Sequence, residues 1–315
     1  MQTNKTLLLL RKPMAINLKT LATRSMSAAV FVILLVGCVY WSYISFSLFF
    51  FAVALIGLNE FYKISEKMGS SPYKILGFIL GIITYLAFLP VSNFVIEQKL
   101  INGVDLLGFL AIDRTFRVFS TLILLGPFII LATALFSTKE NSIKNALYTI
   151  GGIIYAVLPF ALLNQVVYHI EGRTSDIPSF NPMVILGIIF LIWTNDTFAY
   201  LGGSLVGKNK MIERVSPGKT WEGTIIGVLI TFGLSFLFNN LIFDFKNYTW
   251  MVLGIIVPVL ATVGDLVESK LKREAAIKDS GSIMPGHGGV LDRFDSLIFV
   301  SPFVYVYFKL FYTLI

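Results

Sequence analysis

The sequence predicts an all-α protein that crosses a membrane about nine times, with its N-terminus in the cytoplasm. Of 315 residues, 56% are hydrophobic and only 14% are charged, and the mean hydropathy of +0.80 is well above that of a soluble globular domain. The apolar residues are concentrated in nine windows, each close to the roughly 20 residues that a helix needs to cross the hydrocarbon core. Most lysines and arginines fall on one side of the spans that these windows define.

In chain order, the predicted spans cover residues 26–43, 44–62, 75–94, 119–136, 146–167, 183–201, 224–242, 250–267 and 296–315. The first two adjoin, so they are expected to form a tight helical hairpin. The apolar stretch 106–112 is too short to span a bilayer and is interpreted as interfacial or re-entrant. The chain then divides into a cytoplasmic amphipathic leader (1–25), N-terminal transmembrane helices (26–180) and a C-terminal transmembrane region (181–315) that contains the long polar loops.

The orientation of the spans follows from the basic residues. Nine spans place 19 of the 25 lysines and arginines on the side of the N-terminus and six on the other side. Positively charged loops are retained in the cytoplasm. The long loops after the sixth and eighth spans are therefore predicted to be cytoplasmic.

Carboxylates occur in or at the ends of the spans that flank these loops. They are Asp196, Asp265, Glu268, Asp292 and Asp295. A carboxylate at membrane depth is costly and is therefore a functional candidate. Asp292 and Asp295 are three residues apart, so on a helix they share a face and could hold Mg²⁺ together with substrate phosphate oxygens. The alternative is a helix N-cap with a first-turn acid; the nearby Asp265 and cations favour the metal.

Cations accompany these carboxylates in the same loops. They are Lys219, Lys270, Lys272, Arg273, Lys278 and Arg293, a set that suits a bound polyphosphate. For the three between 270 and 273 the alternative is ordinary positive-inside topology, and Glu268 and Lys272 have the spacing of a simple helix salt bridge. Lys219 stands in a predicted tight turn, Ser216-Pro217-Gly218-Lys219, that leads into a span and could approach an anion.

A glycine-rich segment around His287 lies between the two charged parts of the last loop. A histidine there could serve in acid–base chemistry, but contact with phosphate or backbone is the favoured interpretation. A reaction with an anionic nucleophile and a polyphosphate leaving group needs metal ions, cations and positioning rather than a strong general base.

The run from Ser269 to Asp295 closely resembles the signature of the phosphatidate cytidylyltransferases, also called CDP-diacylglycerol synthases. The pattern is Ser, two residues, Lys-Arg, four residues, Lys-Asp, then His-Gly-Gly, an apolar pair and Asp-Arg-Phe-Asp. Upstream segments that begin at Asn195, Gly207, Ser216 and Gly264 are also similar to that family. The resemblance covers about the last 120 residues and makes 181–315 the catalytic region.

The resemblance implies a helical enzyme of the cell (inner) membrane that condenses CTP with phosphatidate and needs Mg²⁺, with a second, monovalent cation nearby. Asp265, Lys272, Asp292 and Asp295 would be the catalytic residues. The metal ligands would be Asp265, Asp292 and Asp295, with Asp196 as a further candidate. The residues that bind substrate would be Ser216, Lys219, Trp221, Glu222, Arg273, Lys278, His287 and Arg293. The resemblance also implies a homodimer, and no nucleic-acid partner is expected.

Two other functions stay open at this point. A CTP-dependent kinase of a polyprenol or isoprenoid alcohol has similar nucleotide needs, but its hydroxyl nucleophile would require a general base. A cation-coupled transporter could use Asp196 and Asp265 as ion ligands within the membrane. In that case broken helices at mid-membrane are expected, whereas the polar residues here gather near one face.

Overall fold

The computed structural model describes residues 18–90, 121, 123–170, 178–241, 248–283 and 288–312. Ten α-helices occur in these ranges: α1 Leu18–Trp41, α2 Tyr43–Lys67, α3 Lys74–Ala87, α4 Gly126–Leu135, α5 Ser142–Gly152, α6 Leu158–Val166, α7 Pro182–Val206, α8 Trp221–Leu241, α9 Thr249–Glu274 and α10 Leu291–Tyr307. A 3₁₀ turn, Ile123–Leu125, precedes α4, and π-helical turns, Ile153–Val157 and Phe308–Tyr312, follow α5 and α10. The predicted segment 106–112 and the first 17 residues of the predicted leader lie outside the described residues.

Within the described ranges, five helical segments are long and apolar enough to cross a membrane. They are Tyr43–Lys67, Ser142–Val166, Pro182–Val206, Trp221–Phe238 and Thr249–Glu274, which match the predicted second, fifth, sixth, seventh and eighth spans. Shorter apolar helices, Ser25–Trp41, Lys74–Ala87 and Ile123–Leu135, occupy the first, third and fourth predicted windows. The all-α prediction is confirmed, while the count of nine spans and the cytoplasmic N-terminus stay predictions.

A single residue, Ser42, separates α1 from α2. Its hydroxyl accepts a hydrogen bond from the Ser45 N–H, and the Ser45 hydroxyl accepts one from the Ser42 N–H, both at 3.1 Å. This reciprocal capping box satisfies two N–H groups at the start of a helix that would otherwise lack partners. The two helices pack against each other, so the predicted tight hairpin is confirmed.

The aromatic core joins the first half of the chain to the last described helix. Phe50 of α2 stacks on Phe160 of α6 with ring centroids 5.7 Å apart, and Phe294 of α10 meets the Phe160 ring edge to face at 5.6 Å. Such pairs add to the free energy gained by burying the rings. Because α10 also packs along α6 and α9, this core fixes the first turns of α10, where Asp292 and Asp295 lie.

Two short antiparallel hairpins interrupt the helical architecture. Strand β1, Tyr168–Ile170, pairs with β2, Pro178–Phe180, and β3, Lys210–Ile212, pairs with β4, Ser216–Thr220. The segment predicted as a tight turn before a span is therefore the strand β4. It leads directly into α8, as expected, but the turn itself lies earlier, at residues 213–215.

Candidate active site

A cavity of about 800 Å³ lies among α1, α7, β4, α9 and α10. Seven of the predicted site residues line it: Asp196, Ser216, Lys219, Asp265, Asp292, Arg293 and Asp295. The structure thus brings together residues that are almost 100 positions apart in the sequence. Candidate metal ligands, basic side chains and apolar helix faces thus surround one cavity.

Three carboxylates converge beside this cavity. Asp265 and Glu268 lie one turn apart on α9, and Asp295 lies in the first turns of α10; one oxygen from each is within 4.8 Å of the others. The close approach of the two helices requires Gly264, because a Cβ atom there would lie 2.7 Å from the Asp295 carbonyl oxygen. The name acidic cluster is used below for Asp265, Glu268 and Asp295.

The acidic cluster suits a divalent cation. Glu268 is only 1% exposed, and its Oε1 has no hydrogen-bond donor among the described residues. A buried carboxylate oxygen without a donor is costly. Hard cations such as Mg²⁺ prefer carboxylate oxygens as ligands. The residues present therefore fit a divalent ion bound between α9 and α10.

Glu268 was a functional candidate among the carboxylates but was not one of the predicted catalytic residues or metal ligands. Its four-residue spacing from Lys272 indicated a helix salt bridge, and that ion pair is present, with 2.5 Å between Glu268 Oε2 and Lys272 Nζ. The spacing of three from Asp265 was the signal that could have identified it, since residues three apart share a helix face.

Asp292 does not join the acidic cluster. Its carboxylate accepts hydrogen bonds from Lys272 Nζ at 2.6 Å, the Ser280 N–H at 2.8 Å, the Ser280 hydroxyl at 2.9 Å and the Gly289 N–H at 2.7 Å. Burial alone would raise its pKa, but these donors hold the pKa at about 2. The expected convergence of Asp292 with Asp295 is therefore absent, because Asp292 turns back to the segment that precedes its own helix. Asp292 is an acid in the first turn of α10 but not its N-cap, and a metal-binding role for Asp292 stays a prediction.

Lys272 connects the two groups of carboxylates. Its ammonium lies between Glu268 Oε2 and Asp292 Oδ1, and its side chain is 15% exposed. A buried cation shared by two carboxylates offsets the cost of burying them only when all the partners are present. Lys272 thus positions Glu268 and Asp292 relative to each other.

Lys219 reaches the cavity from the hairpin. It forms an ion pair with Asp265 and lies 3.5 Å from the Thr262 carbonyl oxygen. The structure therefore brings Lys219 next to the acidic cluster, as the charge pattern indicated. An ammonium in this place can neutralise a phosphate that enters the cavity.

Asp196 lies on the wall formed by α7, beside Asn195. The Asn195 amide donates to Asp196 Oδ1 and to Thr262 Oγ1, both at 3.4 Å, whereas the buried Asn195 Oδ1 has no partner among the described residues. Asp196 lines the same cavity as the acidic cluster without being one of its three members. Its role as a metal ligand stays a prediction.

Other predicted substrate-binding residues lie outside the cavity lining. Glu222 accepts hydrogen bonds from the N–H groups of Lys208 and Asn209 and so closes the β3–β4 hairpin. The Arg273 guanidinium donates to the Val215 carbonyl oxygen at 3.3 Å. Trp221 and Lys278 are exposed, and His287 lies outside the described residues. The contacts with substrate predicted for all five residues stay predictions.

The fold and the site define a helical protein with several segments apolar enough to cross a membrane and a cavity lined by lysines and carboxylates. The sequence profile of the cytidylyltransferase family matches residues 22–311, and the chain belongs to this family.

Individual relatives share part of the sequence. The chain is 38% identical over 171 residues to the phosphatidate cytidylyltransferase of Haemophilus influenzae, which covers 52% of this chain and 59% of that protein. It is 32% identical over 258 residues to the phosphatidate cytidylyltransferase of Staphylococcus epidermidis, covering 81% of this chain and 86% of that protein. A phosphatidate cytidylyltransferase of Staphylococcus aureus is 36% identical over 177 residues, which covers 56% of this chain and 64% of that protein.

Proposed function

We propose that this protein is a phosphatidate cytidylyltransferase, which converts CTP and phosphatidate to CDP-diacylglycerol and pyrophosphate. The observation that carries the proposal is the mixed lining of the cavity. Lys219 and the carboxylates of Asp265 and Asp295 line it. Apolar residues of α1 and α7 line the same cavity, namely Phe31, Val32, Leu35, Ile189 and Ile192.

This mixed lining matches a reaction between a water-soluble nucleotide and a lipid. The polar residues fit the triphosphate and the lipid phosphate, and the apolar residues fit the start of the acyl chains. Family membership and the names of the relatives support the same pair of substrates.

In the proposed reaction, a phosphate oxygen of phosphatidate attacks the α-phosphorus of CTP. A new P–O bond forms there while the bond to the β-phosphate oxygen breaks, and pyrophosphate leaves. A phosphomonoester has its second pKa near 6, so the nucleophile is already anionic and needs no general base. The protein therefore has to bring the two substrates together and neutralise their charges.

The residues divide this work between them. Asp265, Glu268 and Asp295 would hold Mg²⁺, which when bound would offset the charge on the triphosphate. Lys219 would contact a phosphate from the hairpin side of the cavity, since its ammonium already lies at the cavity wall. Lys272 would keep Glu268 in place. A second, monovalent cation and a homodimer are part of the proposal because the family resemblance implies them.

The proposal places this site at the cytoplasmic face of the inner membrane, in a protein with about nine spans. The loops around the site lie on the side of the predicted spans that carries 19 of the 25 lysines and arginines. Such an excess of basic residues favours the cytoplasmic side. CTP is a cytoplasmic metabolite and phosphatidate is a membrane lipid. A cavity at that interface would reach both.

A bulky residue on the apolar wall should interfere with the lipid alone. Val32→Trp fills the cavity from α1 and is expected to raise the KM for phosphatidate by about fivefold or more, the scale of the cost of overpacking, with the KM for CTP unchanged. Ile33→Trp is the matched control, because Ile33 is 71% exposed and is not part of the cavity lining, whereas Val32 is. Equal effects of the two substitutions, or a rise in the KM for CTP, would contradict this use of the α1 wall.

Turnover by the purified protein tests the function itself. In vesicles that contain phosphatidate, CTP and Mg²⁺ should give CDP-diacylglycerol and an equal amount of pyrophosphate, and EDTA should stop the reaction. Vesicles without phosphatidate are the control. Failure to form a CDP-lipid under these conditions would refute the proposal.

A further inference from the structure

Glu60 is a buried carboxylate in the first half of the chain that the reaction described above does not use. It lies on α2, close to the end of a helix long enough to cross a membrane, and is 3% exposed. Burying a carboxylate is expensive unless it is hydrogen-bonded or paired. In a helix of this kind it is a functional candidate.

In the part of the chain that the structure describes, Glu60 has three hydrogen-bond donors, and all of them lie at the start of α10 or in the segment before it. The Val290 N–H donates to Oε1 at 3.0 Å, and the Leu291 N–H and the Ser280 hydroxyl each donate to Oε2 at 2.9 Å. Leu291 is the first residue of α10, and the first N–H groups of a helix have no partner within it. Glu60 therefore caps α10 from a position 230 residues away in the sequence. Its negative charge is also favourable at a helix N-terminus.

The backbone at Gly289 packs so closely against the Glu60 carboxylate that no side chain fits at position 289. A Cβ atom at Gly289 would lie 2.5 Å from both oxygens of the Glu60 carboxylate. The glycine lets the backbone before α10 approach the carboxylate. The position of this segment is thus fixed by α2.

A continuous chain of polar contacts leads from Glu60 to the acidic cluster. The Ser280 hydroxyl lies 2.9 Å from both Glu60 Oε2 and Asp292 Oδ2, and its single proton can serve one of them at a time. Lys272 then joins Asp292 to Glu268, at 2.6 and 2.5 Å. Ser280, Asp292, Lys272 and Glu268 are thus connected in sequence by polar contacts, and Glu60 of α2 makes the first contact, with Ser280.

We infer that Glu60 is a positioning residue for the divalent-metal site: by capping α10 and holding Ser280, it sets the places of Asp295 and, through Asp292 and Lys272, of Glu268. The inference rests on the proposed function for its meaning in catalysis. Its structural content, the dependence of cation binding on Glu60, does not.

The test compares two glutamates of the same helix. Glu60→Gln keeps the size of the side chain but removes the charge and turns an amide donor towards backbone donors. Glu66→Gln is the matched control, since Glu66 is an exposed residue paired with Lys74 at 2.8 Å. Binding of Mn²⁺ alone to the detergent-purified full chain is measured by the loss of the free-ion EPR signal. The Mg²⁺ dependence of turnover is measured on the same samples.

Glu60→Gln is expected to weaken Mn²⁺ binding by about 10- to 100-fold, the range found when an outer-shell partner of a metal site is removed. The Mg²⁺ concentration for half-maximal turnover should rise in parallel, while the KM for CTP at saturating Mg²⁺ stays near the wild-type value. Glu66→Gln should match wild type in all three. Unchanged Mn²⁺ affinity in Glu60→Gln, or an equal loss in Glu66→Gln, would overturn the inference.

Ser280→Ala covers the case in which Glu60→Gln does not fold. It leaves the two backbone hydrogen bonds of Glu60 intact and removes the hydroxyl between Glu60 and Asp292, so Mn²⁺ binding should weaken by several-fold, less than in Glu60→Gln. Wild-type Mn²⁺ affinity in Ser280→Ala would remove the link on which the inference depends. If wild-type protein makes no CDP-lipid but Glu60→Gln still loses Mn²⁺ binding, the proposed function fails and the positioning role stands.

Discussion

Replacing Asp295 with asparagine should lower kcat by about 10²- to 10³-fold, the loss typical of removing one preorganised electrostatic group from an active site. Asparagine has nearly the same shape and keeps a carbonyl oxygen for the Ser296 N–H, which donates to Asp295 Oδ1 at 2.6 Å. The charge of the acidic cluster falls by one unit, so the loss should report on cation binding rather than on folding. The measurement is the initial rate of CDP-lipid formation at saturating CTP and phosphatidate.

Glu274→Gln is the matched control for this substitution. Glu274 is an exposed carboxylate near the acidic cluster in sequence, at the end of α9, and it pairs with Lys270 at 3.0 Å. Its loss should leave kcat within about twofold of wild type, because an exposed ion pair contributes roughly 1 kcal/mol or less. Wild-type activity in Asp295→Asn would contradict the assignment of the acidic cluster.

Replacing Lys272 with methionine should lower the melting temperature of the protein and abolish its activity. The substitution leaves Glu268 and the Asp292 carboxylate, with side chains 1% and 6% exposed, without their shared cation. Breaking a buried ion pair by removing one partner costs about 3–5 kcal/mol. Thermal unfolding in detergent and the turnover assay together measure the effect.

Lys270→Met provides the comparison on the same helix. Lys270 is exposed, and its pair with Glu274 is an ordinary surface interaction. Its melting temperature and activity should remain close to those of wild type. A Lys272→Met protein as stable as Lys270→Met would show that the bridge between Glu268 and Asp292 is not a stabilising contact.

The sequence predicts the helical elements well because each is governed by local hydrophobicity. A window of about 20 apolar residues is visible without knowledge of its neighbours, and the adjoining windows 26–43 and 44–62 predicted the α1–α2 hairpin. The β3–β4 hairpin was missed because its pairing joins Lys210 to Thr220 across a turn. The glycine and proline before Lys219 equally fit a turn.

The sequence predicted most of the residues that form the candidate site but not the contacts that they make with one another. The spacing of Asp292 and Asp295 indicated a shared helix face. Asp292 instead accepts hydrogen bonds from Lys272, Ser280 and Gly289, and helical spacing does not reveal these donors because they precede α10. Glu268 resembled a surface salt bridge because spacing does not reveal burial. Glu60 lies inside the predicted second span, where a carboxylate is a functional candidate, but its contact with Val290 leaves no periodic trace in the sequence.

The central claim, transfer of the cytidylyl group from CTP to a lipid phosphate in this cavity, is tested most directly by the fate of two labels. Purified protein in phosphatidate vesicles receives CTP labelled at the α-phosphate in one reaction and at the γ-phosphate in another. The account predicts that the α-label enters the lipid and that the γ-label appears as pyrophosphate in equal amount. Entry of the γ-label into lipid, the outcome expected of a lipid kinase, would contradict it.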